Sequence, residues 1–516
     1  MLHNSTKTLS FFLIVTATFI FFLSLAGVAA AQSNTSLGTG ALVSNTTGSN
    51  NTAVGLNALF TNSTGSNNTA TGVDSLVFNT TGSNNTATGL NALFSNTTGG
   101  NNTGLGLNSL FSNTTGFNNT ATGLSTLFSN TTGFNNTASG VQALVFNATG
   151  FNNTANGVQA LLHNTTGNDN TASGVQALVF NTTGDNNTAS GFNALFTNST
   201  GSNNTADGFQ ALLSNTTGGN NTATGLLALS SNTTGNENTA NGVNALLTNT
   251  IGTLNTANGV NALRDNTTGE FNTASGVQAL ENNSSGGANT ASGVLALDSN
   301  TTGGNNTAIG FGALATNSTG SSNTGIGIFA DVSAGNLSNA TAIGADTIVN
   351  ASNKIRLGNA AVTVIEGQVA FTASSDKTKK ENFRPVDGEE VLGKIRGFEL
   401  TSWNFIGHDP KEFRHYGPMA QDFFAAFGHD EVGQIGTETT INSGDIAGIL
   451  IIAVQALEKR TAELKRKDAQ IAELKSEVEE LKETVAGRLE ALELRRNQPI
   501  QLTAEQRGLL SIKTRH

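Results

Sequence analysis

Apolar and polar positions follow a constant period of 17 residues through most of the chain. The dipeptide Asn-Thr returns at this interval from Asn51 to Asn323, which is (323 − 51)/17 = 16 spacings and 17 consecutive units without an insertion. A typical unit, residues 51–67, reads NTAVGLNALFTNSTGSN. Fixed periods of about 20 residues are typical of solenoids, in which each unit contacts only its neighbours.

The pattern within one unit predicts a coil of short β-strands. Seventeen residues are too few for two helices and a turn, and the recurrent Gly, Thr and Asn are poor helix formers. We expect strands around Ala53, around Leu56 and from Ala58 to Phe60, with turns at the glycines. The alanines and leucines then form an inner apolar ladder, and Asn and Thr form hydrogen-bonded ladders. At about 4.8 Å per coil the rod is on the order of 80 Å long.

Disorder and a calcium-binding β-roll are two other interpretations of the repeat. Asn, Thr, Ser and Gly are common in disordered segments, but disorder does not require an unbroken apolar register. Calcium-binding β-roll repeats need regular aspartates, whereas the array has only scattered ones, such as Asp169 and Asp207. The sequence therefore predicts a mainly β protein, with a 17-residue-repeat β-solenoid (β-roll) stalk over residues 32–343.

The pattern changes after the repeats. Residues 355–357 and 362–365 alternate as strands, which predicts a β neck over residues 344–374. From Ile446 apolar residues return every seven positions, which predicts a coiled-coil helix over residues 446–495. Its a positions are Leu457, Leu464, Ile471, Val478, Val485 and Leu492. A solitary amphipathic helix is the alternative to self-association, and Glu463 is expected to pair with Lys467 at i,i+4. Residues 496–516 form a tail without a recognisable pattern.

Charge separates the chain into two regions. Of 25 Lys and Arg residues only Lys7 and Arg264 precede Lys354, and 11 of the 36 acidic residues do. The repeat region has no basic face to hold a phosphate backbone, so nucleic acid is not an expected partner. With no cysteine in the chain, stability must come from packing or oligomerisation rather than from disulfides.

The N-terminus carries an export pattern. Lys7 precedes an apolar run from Phe11 to Ala29, and residues 29–31 are alanines suited to a signal peptidase. We therefore expect a signal peptide over residues 1–31 and a secreted or cell-surface protein. An uncleaved membrane anchor is the competing interpretation, because the apolar run is long.

Three ordered blocks identify a second domain. They are Ser375-Asp376 with Lys380 and Asn382, the run 417–423 (GPMAQDF), and the run 451–457 (IIAVQAL). Residues 375–457 thereby resemble the intramolecular chaperone auto-processing domain of phage tailspikes and endosialidases. The NTAxG phrase of the repeats also resembles the β-repeats of trimeric adhesins and surface fibres. The resemblance implies a small α+β domain that trimerises the fibre and then cuts itself off.

The same resemblance implies site residues. Ser375 would be the nucleophile, Lys380 its general base, and the cut would fall between Ser374 and Ser375. A lysine serves as a base where desolvation or nearby cations favour its neutral form, and Lys377 and Lys379 flank the site. From residue types alone the favoured interpretation is structural: Ser-Asp merely starts a domain, and the lysine cluster is a solvated surface.

The remaining candidate residues indicate structure rather than chemistry. His408, His415 and His429 lack metal-ligand spacing, so we expect neither a metal nor a cofactor. Trp403 and the phenylalanines at positions 398, 405, 413, 423, 424 and 427 are predicted to form the core of the small domain.

The sequence therefore predicts an exported, homotrimeric fibre or adhesin-like protein whose only enzymatic step is one self-cleavage, with no external substrate. The alternative is a ligand-binding solenoid with a retained, non-cleaving trimerisation domain. Its rows of threonine, such as Thr52, Thr69 and Thr86, would order water on an ice-like lattice or bind a surface carbohydrate. A polysaccharide-degrading enzyme is disfavoured, because the repeats lack paired carboxylates at a recurrent site.

Overall fold

The computed structural model describes residues 33–362, 364–368, 375–406 and 409–499. The chain divides into two compact units, Met1–Val362 and Thr363–His516. The predicted signal peptide and Ser374 lie outside the described residues, as do His408 and residues 500–516 of the tail. Among the described residues, no helix combines the length and the apolar character needed to cross a membrane.

The first unit is a β-solenoid with a 17-residue repeat, as the sequence predicts. Each coil contributes one three-residue strand to a parallel, 20-stranded sheet in which equivalent residues lie side by side, for example Thr137 beside Thr154 and Ala138 beside Ala155. The strands of this regular series are β1 Thr35–Leu37, β2 Thr52–Val54, β3 Thr69–Thr71, β4 Thr86–Thr88, β5 Thr103–Leu105, β6 Thr120–Thr122, β7 Thr137–Ser139, β8 Thr154–Asn156, β9 Thr171–Ser173, β10 Thr188–Ser190, β11 Thr205–Asp207, β12 Thr222–Thr224, β13 Thr239–Asn241, β14 Thr256–Asn258, β15 Thr273–Ser275, β16 Thr290–Ser292, β17 Thr307–Ile309 and β18 Thr324–Ile326.

The core of the solenoid is made of three stacked side chains per coil. In the coil that begins at Asn136 they are Ala138, Ala143 and Leu144, all of which are buried. Two buried asparagine rows lie beside them and join successive coils by side-chain hydrogen bonds. Asn153, for example, donates to the carbonyl of Gly167 at 2.9 Å and accepts from the backbone N–H of Asn170 at 3.1 Å. The predicted apolar and asparagine ladders are therefore confirmed.

The predicted strands around Leu56 and from Ala58 to Phe60 are wrong. Each coil has one strand, and the segment after it consists of turns, because Asn57 and Leu59 have φ angles of 55° and 52°. Left-handed backbone of this kind does not fit an extended strand. Leu56 consequently points outward and is 47% exposed, whereas Leu59 is buried.

Glycine is required where successive coils approach each other most closely. Gly140 has a φ of 137°, and a Cβ placed on it would lie 2.4 Å from the carbonyl oxygen of Gly157. The equivalent glycine of the next coil meets the same contact with Gly174, at 2.2 Å. The stacking distance of the coils thus depends on this glycine row.

The predicted β neck is partly a continuation of the solenoid. Strands β19 Asp331–Val332, β20 Thr341–Ile343, β21 Ile348–Val349 and β22 Ile355–Leu357 follow the regular series. β22 pairs in parallel with β20, so Ile355–Leu357 is the last strand of the main sheet. The expected strand over residues 362–365 is absent from the part of that segment that the structure describes, which is residue 362 and residues 364–365.

The second unit contains strands and helices. Strands β23 Thr401–Trp403 and β24 His415–Gly417 form an antiparallel pair, and helices α1 Gly388–Arg396, α2 Ala420–Phe427 and α3 Ser443–Arg496 surround a small core. Val391, Phe423, Phe427 and Ala453 are buried in that core, and Phe398 packs against it. Phe405, predicted to be a core residue, is 55% exposed, since it follows the end of β23 and lies beyond the helices that form the core.

The C-terminal helix extends far beyond the part of it that packs in the small core, where its buried residues are Ala453 and Ala456. α3 is a 54-residue helix that begins three residues before the predicted Ile446, at an N-cap formed by Asn442. Its first turns pack on α1, where the start of the helix at Gly388 lies close to Ala456. The predicted pair of Glu463 and Lys467 is present, with 3.1 Å between the carboxylate and ammonium groups.

Candidate functional site

A short turn near the start of the second unit positions Ser375 and Lys380, the predicted nucleophile and general base. Residues Lys377–Lys379 form a 3₁₀ turn that Asp376 caps. The Asp376 carboxylate accepts hydrogen bonds from the backbone N–H and from the hydroxyl of Thr378, each at 2.9 Å. The turn closes where the N–H of Lys380 donates to the carbonyl of Lys377. The side chain of Lys380 is thereby directed back toward Ser375.

Ser375 and Lys380 are in hydrogen-bond contact. The distance between the Lys380 Nζ and the Ser375 Oγ is 2.7 Å. Both residues are exposed to solvent in the single chain. A nucleophile and its base must lie within this distance for proton transfer, so the contact has the geometry that a Ser–Lys dyad needs.

Asp376 and Thr378 hold this turn together, and the sequence analysis named Asp376 only as a residue of the first block and did not name Thr378. Hydrogen bonds from the backbone N–H and the side chain of Thr378 lower the pKa of Asp376 below its ordinary value. The carboxylate therefore stays ionised through the neutral pH range and keeps the turn capped. The sequence carries a usable signal for this arrangement, since aspartate two residues before a threonine is typical of capped turns.

The two flanking lysines differ in their surroundings. The ammonium group of Lys377 lies over the ring of Phe383, 5.7 Å from its centroid. Lys379 is exposed at the end of the turn. Their predicted electrostatic effect on Lys380 stays a prediction.

The second and third sequence blocks hold the small domain together. Gly417 ends strand β24, Pro418 follows it, and Met419 is the N-cap residue of α2. The third block lies in α3, where Ala453 and Ala456 are buried. The blocks therefore join the β-hairpin to the helical core.

An open apolar groove of about 290 Å³ lies beside the second block. Phe398, Leu400, Tyr416, Pro418 and Leu450 are among the residues that line it. Tyr416 is 85% exposed and Leu400 is 66% exposed. The small domain thus leaves a concave apolar surface uncovered in the single chain.

The described histidines make ring contacts. His415 stacks on Trp403 with 4.7 Å between the ring centroids, and His429 meets the edge of Phe424 at 5.0 Å. Within the described ranges, no group of three or more His, Cys, Asp or Glu residues is placed to hold a metal ion.

Comparison with known families supports the interpretation of the second unit. Residues 375–431 match a family model described as chaperone of endosialidase. The match begins at Ser375 and includes Lys380 and the GPMAQDF block, and the third block at 451–457 lies beyond it. No curated protein matches the chain. The resemblance drawn from the residues is therefore confirmed for the C-terminal domain, and a solenoid followed by such a domain fits a trimeric, fibre-like protein.

Proposed function

We propose that this protein is an exported, trimeric fibre whose C-terminal domain assembles three chains and then cuts itself off before Ser375. The observation that carries the proposal is the 2.7 Å contact between Ser375 and Lys380 at the first residues of a domain that matches the chaperone of endosialidase. The fibre is secreted or held at a cell surface, and its partners are other copies of the same chain. The predicted surface glycan stays a prediction.

The surface of the C-terminal unit supports self-association. The residues of the coiled-coil seam on α3 are 49–65% exposed, which is unusual for apolar side chains spaced at seven residues along a long helix. These residues are Leu457, Leu464, Ile471, Val478, Val485 and Leu492. Other copies of the helix would cover this seam, and other copies of the small domain would cover the apolar groove.

Assembly would also bury Lys380, and burial favours the neutral amine that a base requires. A lysine amine acts as a base only in its neutral form, and burial favours that form. Both dyad residues are exposed in the single chain. We infer that packing of the small domains against one another removes water from Lys380, so that cleavage follows trimer formation.

The cleavage reaction balances with these two residues and one water molecule. The neutral amine of Lys380 takes the hydroxyl proton of Ser375, and the Ser375 Oγ adds to the carbonyl carbon of residue 374. The bond between that carbon and the Ser375 nitrogen breaks, and the leaving nitrogen receives the proton from Lys380. Water then hydrolyses the ester, which leaves a carboxylate at Ser374 and a free amine and hydroxyl at Ser375.

The experiment compares four proteins by intact mass and by sedimentation. The wild type is expected to give a 516 − 375 + 1 = 142-residue fragment that starts at Ser375. Ser375→Ala and Lys380→Arg should stay uncleaved yet sediment as trimers, because each removes the attack and not the packing. Lys411→Ala is the matched control, because Lys411 is an exposed lysine of the same domain outside the turn, and it should cleave normally. Uncleaved wild type in a confirmed trimer would show that the domain assembles the fibre without peptidase activity, and a monomeric Ser375→Ala protein would refute assembly as well.

A second candidate function rests on the threonine row of the main sheet. Threonine occupies the first position of strands β1–β18 and of β20, from Thr35 to Thr341, in register between successive coils. Hydroxyl and methyl groups then repeat at about 4.8 Å along a regular surface, which is suited to ordering water. Inhibition of ice recrystallisation by the wild type, and its loss in Thr188→Lys, would support this function. Wild type that behaves like serum albumin in that assay would exclude it.

A further inference from the structure

A second surface row of the solenoid is apolar in every repeat. It consists of the residue that follows the glycine after each strand, and we call it the apolar stripe. Its seventeen residues are Leu56, Val73, Leu90, Leu107, Leu124, Val141, Val158, Val175, Phe192, Phe209, Leu226, Val243, Val260, Val277, Val294, Phe311 and Ile328. Each of them is between 38% and 48% exposed. The stripe is thus continuous along the regular part of the rod and faces solvent in the single chain.

Packing within a coil does not account for the stripe. The solenoid core consists of the alanine and leucine ladders, which are fully buried, whereas the stripe stays open. Other surface rows accept polar residues. The row of Val54 includes Asp207 and Asn241, and the row of Phe60 includes Arg264 and Glu281. A solvent-facing row that stays apolar through 17 repeats indicates a surface that is covered in the working protein.

The row of residues beside the stripe is uncharged except at Asp74. The next residue in each coil is mostly Asn or Gln, and these amides bond to one another along the rod. Gln159 donates to Gln142 at 3.2 Å, and Gln176 donates to Gln159 at 2.9 Å. An apolar surface whose rim carries a single charge in 17 repeats offers little to a charged partner, and it suits a surface of the same kind.

The exposed area of the stripe and the spacing of its residues indicate what kind of partner can cover it. Seventeen side chains that are each about two-fifths exposed present on the order of 1,000 Å² of surface, above the few hundred Å² typical of the largest patch on a monomer and close to the ~800 Å² per partner of a stable interface. A partner that covers the whole stripe must itself be a rod with one apolar residue per coil at the same spacing. A second copy of this solenoid has that form.

We propose that the apolar stripe is the surface along which the stalks of the assembled copies pack together. This inference rests on the proposed trimer and adds to it the face by which the solenoids meet. Copies aligned in parallel by their C-terminal helices bring each stripe residue near the same residue of another copy.

Cysteine cross-linking tests the proposal in the full chain. The natural sequence has no cysteine, so one introduced thiol per chain reports on one position. Val158→Cys and Leu226→Cys, each in the Ser375→Ala background, place a thiol on the stripe. Thr154→Cys and Thr222→Cys are the matched controls, because they are exposed residues of the same two coils. We expect mild oxidation to link pairs of chains roughly tenfold or more faster at the stripe, since adjacent thiols react at a millimolar effective concentration.

The outcomes separate this proposal from the one on which it rests. Trimers by sedimentation, together with fast cross-links at both stripe positions and slow ones at both controls, support it. Trimers in which the stripe thiols react no faster than the controls overturn the stripe interface and leave the trimer intact. Faster reaction at the threonine positions assigns the interface to the threonine row and also overturns the proposal. A monomer overturns both.

Discussion

Asparagine has two different uses within each coil of the solenoid. Asn147 is fully buried, donates to Asn130 at 2.8 Å and to the carbonyl of Gly150 at 2.9 Å, and accepts from Asn164. Asn152 is exposed and has a φ of 56°, a backbone conformation that asparagine tolerates better than most residues. Asn50 and Asn62 each begin an Asn-x-Thr glycosylation sequon. Asn62 is buried and inaccessible to a modifying enzyme, whereas Asn50 is exposed.

The buried row makes a residue-scale prediction. Asn147→Ala removes three side-chain hydrogen bonds and leaves the buried Oδ1 of Asn130 without the amide that donates to it, while the carbonyl of Gly150 keeps the amide of Asn136. Burying an unsatisfied polar group costs about 1–3 kcal/mol, so we expect a lower urea midpoint in circular dichroism. Asn156→Ala is the control, because Asn156 is an exposed residue in an extended strand. Equal effects of the two substitutions would show that the buried ladder does not stabilise the stack.

At the candidate site, the sequence predicted which residues lie together but not what holds them. The resemblance of the 375–382 block indicated Ser375 and Lys380, and their side chains are 2.7 Å apart. Spacing alone does not produce this contact, since residues five apart diverge in an extended chain. The capped turn at Asp376 reverses the direction of the chain, and its geometry depends on a side chain that the argument from dyad chemistry did not involve.

The sequence of the repeats predicts the 17-residue period of the coil but not the backbone conformation within it. The 17-residue spacing of Ala and Leu predicted stacked units and a buried ladder, and both are present. Leu144, however, has a φ of 54°, in a region that costs a bulky residue free energy. Burial of the side chain and a hydrogen bond from its N–H to the carbonyl of Ala160 compensate. These compensations come from the neighbouring coils, so they cannot be predicted from a propensity within one unit.

One charged cluster interrupts a mostly apolar row of the solenoid. Arg264 pairs with Glu281, whose side chain is only 8% exposed, and with Asp265 at 2.6 Å. Gln278 also donates to Glu281, at 2.7 Å. In other coils the same row holds residues such as Phe94 and Phe111, which stack at 4.9 Å. The position therefore accepts an apolar residue.

This cluster makes an element-scale prediction. Arg264→Leu leaves the carboxylate of Glu281 buried with a weaker set of partners, and we expect a loss of about 1–3 kcal/mol in unfolding free energy. Arg264→Leu with Glu281→Leu should restore stability to within about 1 kcal/mol of wild type or exceed it, because an apolar pair commonly replaces a buried ion pair at no cost. Urea unfolding of the wild type, Arg264→Leu and the double variant measures these differences in stability. A double variant less stable than Arg264→Leu would contradict it.

At the scale of the whole molecule, the single chain leaves two elongated apolar surfaces open besides the groove of the small domain. The stripe extends along the solenoid, and the heptad seam extends along α3. The two differ in how they can start assembly. The solenoid repeats every 17 residues, so two copies could align in many equivalent registers. On α3, by contrast, Arg460, Lys467 and Arg488 follow seam residues by three positions, and these charged residues limit how two helices can align. The C-terminal unit is therefore the part that can set the register of the fibre.

Removal of that unit makes a whole-molecule prediction. The proposed cleavage before Ser375 would take away α3, so a fibre that unfolds afterwards would lack the segment proposed to align its chains. Wild type that has been cleaved should unfold slowly and recover little trimer after dilution from guanidinium, while Ser375→Ala should recover most of it. Circular dichroism and sedimentation before and after the cycle measure the recovery. Lys411→Ala, which we expect to cleave, should behave like the wild type. If cleaved and uncleaved proteins recover to the same extent and at the same rate, the solenoid sets its own register, and the C-terminal unit is not an assembly device.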